Sequence, residues 1–250
     1  LGIMKKEWGL SPRPATIPDW ASLTAEEQDF EDLRMATYAA MVDRMDHAIG
    51  RVLAKLTELG QDENTLVIFL SDNGASPFDH GAKRSVAQLT AGTGNINCGL
   101  GWAHLSTTPF RHYKRNMANG GSSTAFIAHW PAALRQPGTL TDQPAHLIDL
   151  MATFVDISGA AWPAAHAGRP LDPLLGQSLR PIFAGATRPP HDQLFFHLFD
   201  HRAVIAGDLK LVSDWGRPWE LYDLAADRTE LRDLAQLQPA EAARLAQLWV

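Results

Sequence analysis

Apolar side chains recur at helical spacing through Phe30, Leu33, Thr37, Ala40, Met41, Met45, Ala48, Ile49, Val52, Leu53, Leu56 and Leu59, which predicts one long amphipathic helix. Thr24 and Glu27 precede it with the spacing of a capping box, and Gly60 follows where a left-handed residue ends a helix. A polar turn through Asp62 and Asn64 leads into the apolar run of residues 65–70, which closes on Ser71, Asp72, Asn73 and Gly74. Helix, turn and buried strand form the αβ half of a crossover unit, so the pattern predicts an α/β fold with a mostly parallel sheet flanked by helices.

Farther on, the periodicity changes. Residues 75–107 show little of it, and Gly92, Gly94, Gly99 and Gly101 mark a long loop of the kind that forms rims and lids. His146 to Ile157, closed by Gly159, reads as a helix needed only for core packing. Pro181, Gly185, Pro189 and Pro190 punctuate a linker, dividing the chain into an α/β part, 1–185, and a small antiparallel C-terminal subdomain, 186–250. Within that subdomain Leu194 to Phe199, Ala203 to Ala206, Leu209 to Ser213 and Trp219 to Tyr222 read as short strands, with a helix from Pro239 packed on them. The helical pattern from Glu241 runs to Val250 without a C-cap, and no first strand precedes the opening Trp- and Pro-bearing segment. Both signs lead us to expect a piece of a longer α/β protein, with apolar sheet edges exposed where strands are missing.

Composition narrows the function classes. The 250 residues are 45% apolar and 20% charged, ordinary for a globular chain able to bury a large core. A net charge of −6, with no basic cluster longer than Lys83-Arg84, argues against a nucleic-acid partner. No apolar run reaches the roughly 18 residues of a membrane span. The compartment stays open between cytoplasm and periplasm, and the oligomeric state is not legible. The eight tryptophans read mainly as packing elements, with Trp102 near enough to Lys114 in sequence to line a substrate mouth.

The candidate chemistry begins at the end of the predicted strand. An acid and an amide, Asp72 and Asn73, place two oxygen donors at the carboxyl edge of a sheet, where α/β proteins bind ligands, and they suit a hard divalent cation. The same Asp-Asn-Gly triplet is also a common turn. Lys114 alone would read as a solvated lysine. His80 and His104, in the long loop, either touch substrate or serve structure, and Arg111 and His112 are equally open between a loop clamp and a site. Cys98, the only cysteine, has no internal disulfide partner and reads as a buried or loop thiol.

Taken together, Tyr38 to Asp46, Ile49-Gly50-Arg51-Val52, Asn64-Thr65 and Ser71-Asp72-Asn73-Gly74 resemble the sulfatase family. The likeness continues through Thr108-Pro109-Phe110-Arg111-His112-Tyr113-Lys114, Gly120-Gly121, His129-Trp130-Pro131 and His146 to Leu150. Gly176 to Leu179, Gly207 to Val212, Trp219 to Asp223 and Asp227 to Glu230 carry it almost to the C-terminus, nearest to the bacterial arylsulfatases. The resemblance implies an alkaline-phosphatase-like core and hydrolysis of a small-molecule sulfate ester by a formylglycine nucleophile organised by Ca²⁺, or sometimes Mg²⁺. It also implies that Asp72 and Asn73 are the late pair of metal ligands and that Lys114 contacts the sulfate.

The chain departs from the family in instructive ways. It contains no Cys-x-Pro-x-Arg or Ser-x-Pro-x-Arg segment to supply the nucleophile, and no early Asp-Asp ligand pair; Cys98 lacks the following Pro and Arg. Two oxygen donors fall short of the roughly six to eight that Ca²⁺ takes, so these residues alone are expected to be inactive. Asn119 stands where the family usually has an acid, and Ala125 where it has Pro. Two other readings stay open: a phosphomonoester or phosphonate ester hydrolase, and a non-catalytic homologue.

Overall fold

The computed structural model describes residues 4, 5, 7–79, 86–91 and 97–249. It divides into two compact units, one of 1–56, 69–127 and 193–250, the other of 57–68 and 128–192. Compactness thus groups the chain differently from the two-part division of sequence pattern at residue 185.

In the first unit, helix α1 spans Ala25–Glu58. Its capping box forms as the spacing predicts: Thr24 N–H donates to Glu27 Oε2 at 2.9 Å and Glu27 N–H to Thr24 Oγ1 at 3.3 Å. Gly60, at φ 63°, ends the helical run. The apolar stripe differs from expectation, since only Phe30 and Arg34 on this helix are buried, and Met41 is 65% exposed. Beyond Thr37 most of that face is exposed among the described residues. Strand β1, Val67–Leu70, follows; among the described residues it pairs with β2, Phe126–His129, alone. Phe69, Phe126 and Ile127 are exposed, so β1 is not the fully buried strand its apolar run predicts. The reason is that the described sheet around it has two strands, and the mostly parallel core remains an expectation.

The loop expected at 75–107 carries two helices, α2 at Val86–Ala91 and α3 at Gly99–Ser106. Glycine weakens helix propensity, which hid α3, but a fully buried Ala103 anchors it. Gly99 adopts φ 77°, and a side chain there would overlap the Arg34 guanidinium. One further helical turn, α4, spans Asn119–Ser122 ahead of β2.

In the second unit, α5 spans Ile148–Ser158 and ends in left-handed Gly159. A two-residue ribbon of β3, Ala165–His166, and β4, Arg169–Pro170, leads to the short α6, Arg180–Phe183. α5 does more than pack. Its Asp149 has no exposed surface, and its carboxylate accepts from Arg188 at 2.7 Å and from the Gln177 and His146 amides, both at 2.9 Å, while the His191 ring lies 2.7 Å away.

The remaining chain returns to the first unit as β5 (Leu194–Leu198), β6 (His201–Ala206), β7 (Leu209–Ser213) and β8 (Glu220–Asp223), an antiparallel sheet in sequence order, followed by α7, Pro239–Gln247. Strands β6, β7 and β8 bury side chains on both faces of the sheet, with period-two alternation, while the edge strand β5 is largely exposed. Val204, Leu211 and Leu221 meet Leu245 of α7, whereas Ala203, Val212 and Tyr222 meet Met117. The helix expected to run to Val250 stops at Gln247: Leu248 and Trp249 N–H close the last turn onto Leu245 and Ala246, and the Trp249 ring stands edge-on to Phe195 at 5.5 Å. No helix among the described residues is long and apolar enough to cross a membrane.

Burial alone would raise the Asp149 carboxyl, but the Gln177 and His146 amides, His191 and Arg188 hold it below its ordinary 3.8. The folded value lies below the unfolded one, so this stabilisation is present above about pH 4 and is lost as pH falls through the folded value. Asp149→Asn should cost about 3–5 kcal/mol at pH 7, because Arg188 is left buried without its charge partner, and should flatten the acid limb of a urea-unfolding series. An unchanged acid limb would contradict this assignment.

Candidate active site

After β1 the chain bends sharply. Ser71 Oγ donates to the Asn73 carbonyl and Thr124 Oγ1 to the Ser71 carbonyl, each at 2.8 Å, fixing residues 71–73. Asp72 is exposed and Asn73 half-buried. Among the described residues neither the Asp72 carboxylate nor the Asn73 carboxamide is engaged by a hydrogen bond or ion pair, leaving both oxygens available to a ligand.

Immediately beyond, Gly74 N–H donates to the Gly121 carbonyl and Lys114 N–H to the Ala75 carbonyl, both at 3.0 Å. These bonds dock the segment 111–121 on the end of β1 and bring the Lys114 backbone two residues from Asn73. The contact demands glycine. A Cβ on Gly74 would overlap the Gly120 carbonyl, one on Gly120 the carbonyls of Arg111 and His112, and one on Gly121 those of Asn116 and Tyr113. His112 at φ 62° and Arg115 at φ 75° bracket Lys114 in the left-handed region, each at a cost of about 1–2 kcal/mol. Such a conformation persists only when its surroundings enforce it.

The enforcement comes from below. Lys210, fully buried on β7, is ion-paired with Glu230 Oε1 and donates to Asn119 Oδ1, both at 2.7 Å. Glu230 Oε2 accepts from the Asn119 amide at 2.7 Å, and Asn119 Nδ2 donates to the Arg228 carbonyl at 2.8 Å. Arg111 pairs with Glu220, lies 3.6 Å from Glu230, and sits 4.7 Å over the Tyr222 ring. Burial pulls the Lys210 ammonium below its ordinary range, and Glu230 opposes that pull. Burial likewise pushes the Tyr222 phenol up. Arg111 therefore braces the loop through carboxylates. The Lys210–Glu230 pair escaped the sequence reading, although a charge at an inward position of the run Leu209 to Val212 was its signal.

The other candidates resolve differently. His112 lies edge-on to Tyr113 at 6.3 Å, and burial, with Arg111 beside it, lowers its pKa. Trp102 stands edge-on to Trp20 at 6.2 Å, a packing contact. Cys98 is half-buried with its thiol pushed up by burial, and its carbonyl accepts from Arg34. His104 is held below its ordinary range by burial, its Nδ1 without a partner among the described residues. His80 lies outside the described residues. No cluster of three or more His, Cys, Asp or Glu able to hold a metal occurs among the described residues.

The family description "Sulfatase" matches residues 14–160, and "N-sulphoglucosamine sulphohydrolase, C-terminal" matches 110–248. The chain belongs to the sulfatase family. An uncharacterized sulfatase of Schizosaccharomyces pombe is 30% identical over 98% of this chain and 49% of its own length. The arylsulfatase of Klebsiella aerogenes is 30% identical over 73% of this chain and 41% of its own. The chain thus spans about half the length, or less, of these relatives.

Solved structures share the fold. One solved with k-i-k-neocarrahexaose has a TM-score of 0.63 at 23% identity, covering 85% of this chain and 41% of its own. One solved with its substrate D-glucosamine-2-N,6-O-disulfate has a TM-score of 0.57 at 21% identity, covering 84% and 38%. The phosphonate monoester hydrolase of Agrobacterium radiobacter has a TM-score of 0.52 at 19% identity, covering 85% and 39%. These neighbours carry the alkaline-phosphatase-like architecture expected from the sequence.

The glycine interface makes a contrast measurable. Gly74→Ala should destabilise by about 1–3 kcal/mol, because the methyl meets backbone that cannot yield. Gly50→Ala, within α1 with nothing inside 4 Å, should stabilise by about 0.5–1 kcal/mol. Urea midpoints of the two variants check both signs.

Proposed function

We propose that the full-length protein hydrolyses sulfate monoesters to sulfate and an alcohol or phenol. The observation that carries this reading is the docking of Lys114 onto the end of β1, beside an unengaged Asp72–Asn73 oxygen pair, in a chain of the sulfatase family. Asp72 and Asn73 would hold a divalent cation, Ca²⁺ or Mg²⁺, and a carboxylate with an amide carbonyl fits such a hard ion. The cation, when bound, polarises sulfate oxygens and eases ionisation of the nucleophile. Lys114 presents a compact positive charge to the sulfate oxygens, where negative charge develops in the transition state. Its neighbours, locked by two glycine contacts, keep it there without reorganisation. The nucleophile, a formylglycine, is assigned to a segment outside these 250 residues, which contain no sequence able to supply it. The isolated chain is therefore expected to be inactive.

A second reading, hydrolysis of phosphate or phosphonate esters, has support in the phosphonate monoester hydrolase neighbour. Paired 4-nitrophenyl sulfate and phosphate separate the two on full-length protein. We expect sulfate to be preferred, activity to disappear with EDTA and return with Ca²⁺, and Lys114→Ala to lower kcat by about 100–1,000-fold with a smaller change in KM. A preference for phosphate would favour the second reading, and turnover of neither ester a non-catalytic homologue.

A further inference from the structure

Lys114 occupies the second position of a β-turn. Asn116 N–H donates to the Tyr113 carbonyl at 3.1 Å, closing the turn over residues 113–116, and Arg115 at φ 75° is its third residue. A positive φ at that position alone is the type II pattern, which glycine or asparagine normally supplies. Arginine there is strained, so the turn needs a hold from outside. The Arg115 guanidinium gives part of it, lying 4.3 Å from the centre of the Phe78 ring and 5.9 Å from that of Phe199. Stacking on rings restrains the side chain more than the backbone.

Asn116 restrains the backbone. Both ends of its carboxamide are used: Oδ1 accepts from the Ala118 N–H at 2.8 Å, just ahead of α4, and Nδ2 donates to Asp214 Oδ1 at 2.7 Å. The first bond stays within the loop. The second spans 98 residues of sequence and reaches the end of β7, which the antiparallel sheet holds in place. Strand alternation puts Asp214 on the required side. Ala203 and Val212 pair across β6 and β7 and pack on Met117 of the loop; His201 and Asp214 lie two residues from them, at the same end of the strands. The His201 ring stands 3.3 Å from the same Asp214 oxygen. An ionised acceptor makes the stronger hydrogen bond, so the carboxylate is a firm anchor for the turn.

We propose that Asp214 is a positioning residue for Lys114, acting through Asn116 to hold the turn that carries the lysine. The proposal rests on the sulfatase reading for the part Lys114 plays in the reaction. Lys114 meets charge that develops in the transition state, so a displaced turn lowers kcat more than it raises KM. The test uses full-length protein, with 4-nitrophenyl sulfate kinetics and with hydrogen exchange of segment 111–121 read by mass spectrometry, which needs no turnover. Asp214→Ala should lower kcat about 10-fold with KM changed by less than about 2-fold. It should also speed exchange of segment 111–121 by about 5-fold or more, with other segments unchanged. Asp214→Asn keeps an acceptor for Asn116 and should recover most of both effects. In a Lys114→Ala background Asp214→Ala should cost nothing further in kcat, because a residue that acts only through Lys114 then has nothing left to place. The full additional loss in that background, an Asp214→Asn variant as impaired as Asp214→Ala, or unchanged exchange of 111–121 would each overturn the proposal. Faster exchange confined to 111–121 without turnover of any ester would instead sink the sulfatase reading and leave Asp214 as the anchor of the turn.

Discussion

Two backbone hydrogen bonds, from Gly74 to Gly121 and from Lys114 to Ala75, join the end of β1 to the loop 111–121, and the candidate site exists only because they form. They require the two backbones to approach closer than any side chain permits. Gly74, Gly120 and Gly121 are the sequence's answer to that constraint. The same approach forces His112 and Arg115 into left-handed conformations on either side of Lys114. A loop so constrained has little freedom left, which is the condition for placing a charge where reaction charge develops.

The strain has to be offset elsewhere, and the antiparallel sheet does it. One face is closed by α7 through Leu245; the other receives Met117 and, from β7, the buried Lys210. Lys210, Glu230 and Asn119 pair with one another in a buried interior, where any one left alone would be costly. Asn119 is the hub, since its amide, carbonyl and NH₂ are each bonded. The acid usual at this position in the family would add a charge to a network that Glu230 already balances. Asn119 therefore shapes the support beneath the loop.

The sequence was most legible where local rules govern. The capping box at Thr24 and Glu27, the left-handed Gly159 and the four C-terminal strands are each written in a few neighbouring residues. Asp72, Asn73 and Lys114 were legible as types, but resemblance rather than pattern associated them, since 41 residues separate Asn73 from Lys114 in the numbering. What failed depended on partners distant in sequence. The α1 stripe has the period of a core face, yet beyond Thr37 most of it is exposed among the described residues. Helix α3 hid behind Gly99 and Gly101 because tertiary burial of Ala103, not propensity, stabilises it. The roles of Asp149, Lys210 and Glu230 arise from long-range pairing that spacing does not reveal.

The central claim is that Asp72 and Lys114 act as parts of one site. A double-mutant cycle on kcat/KM for 4-nitrophenyl sulfate, using full-length wild type, Asp72→Ala, Lys114→Ala and the double variant, tests it most directly. Residues acting on the same reacting group are strongly non-additive, so the double variant should be little worse than the poorer single one. Losses that multiply would show two independent contributions and contradict the account.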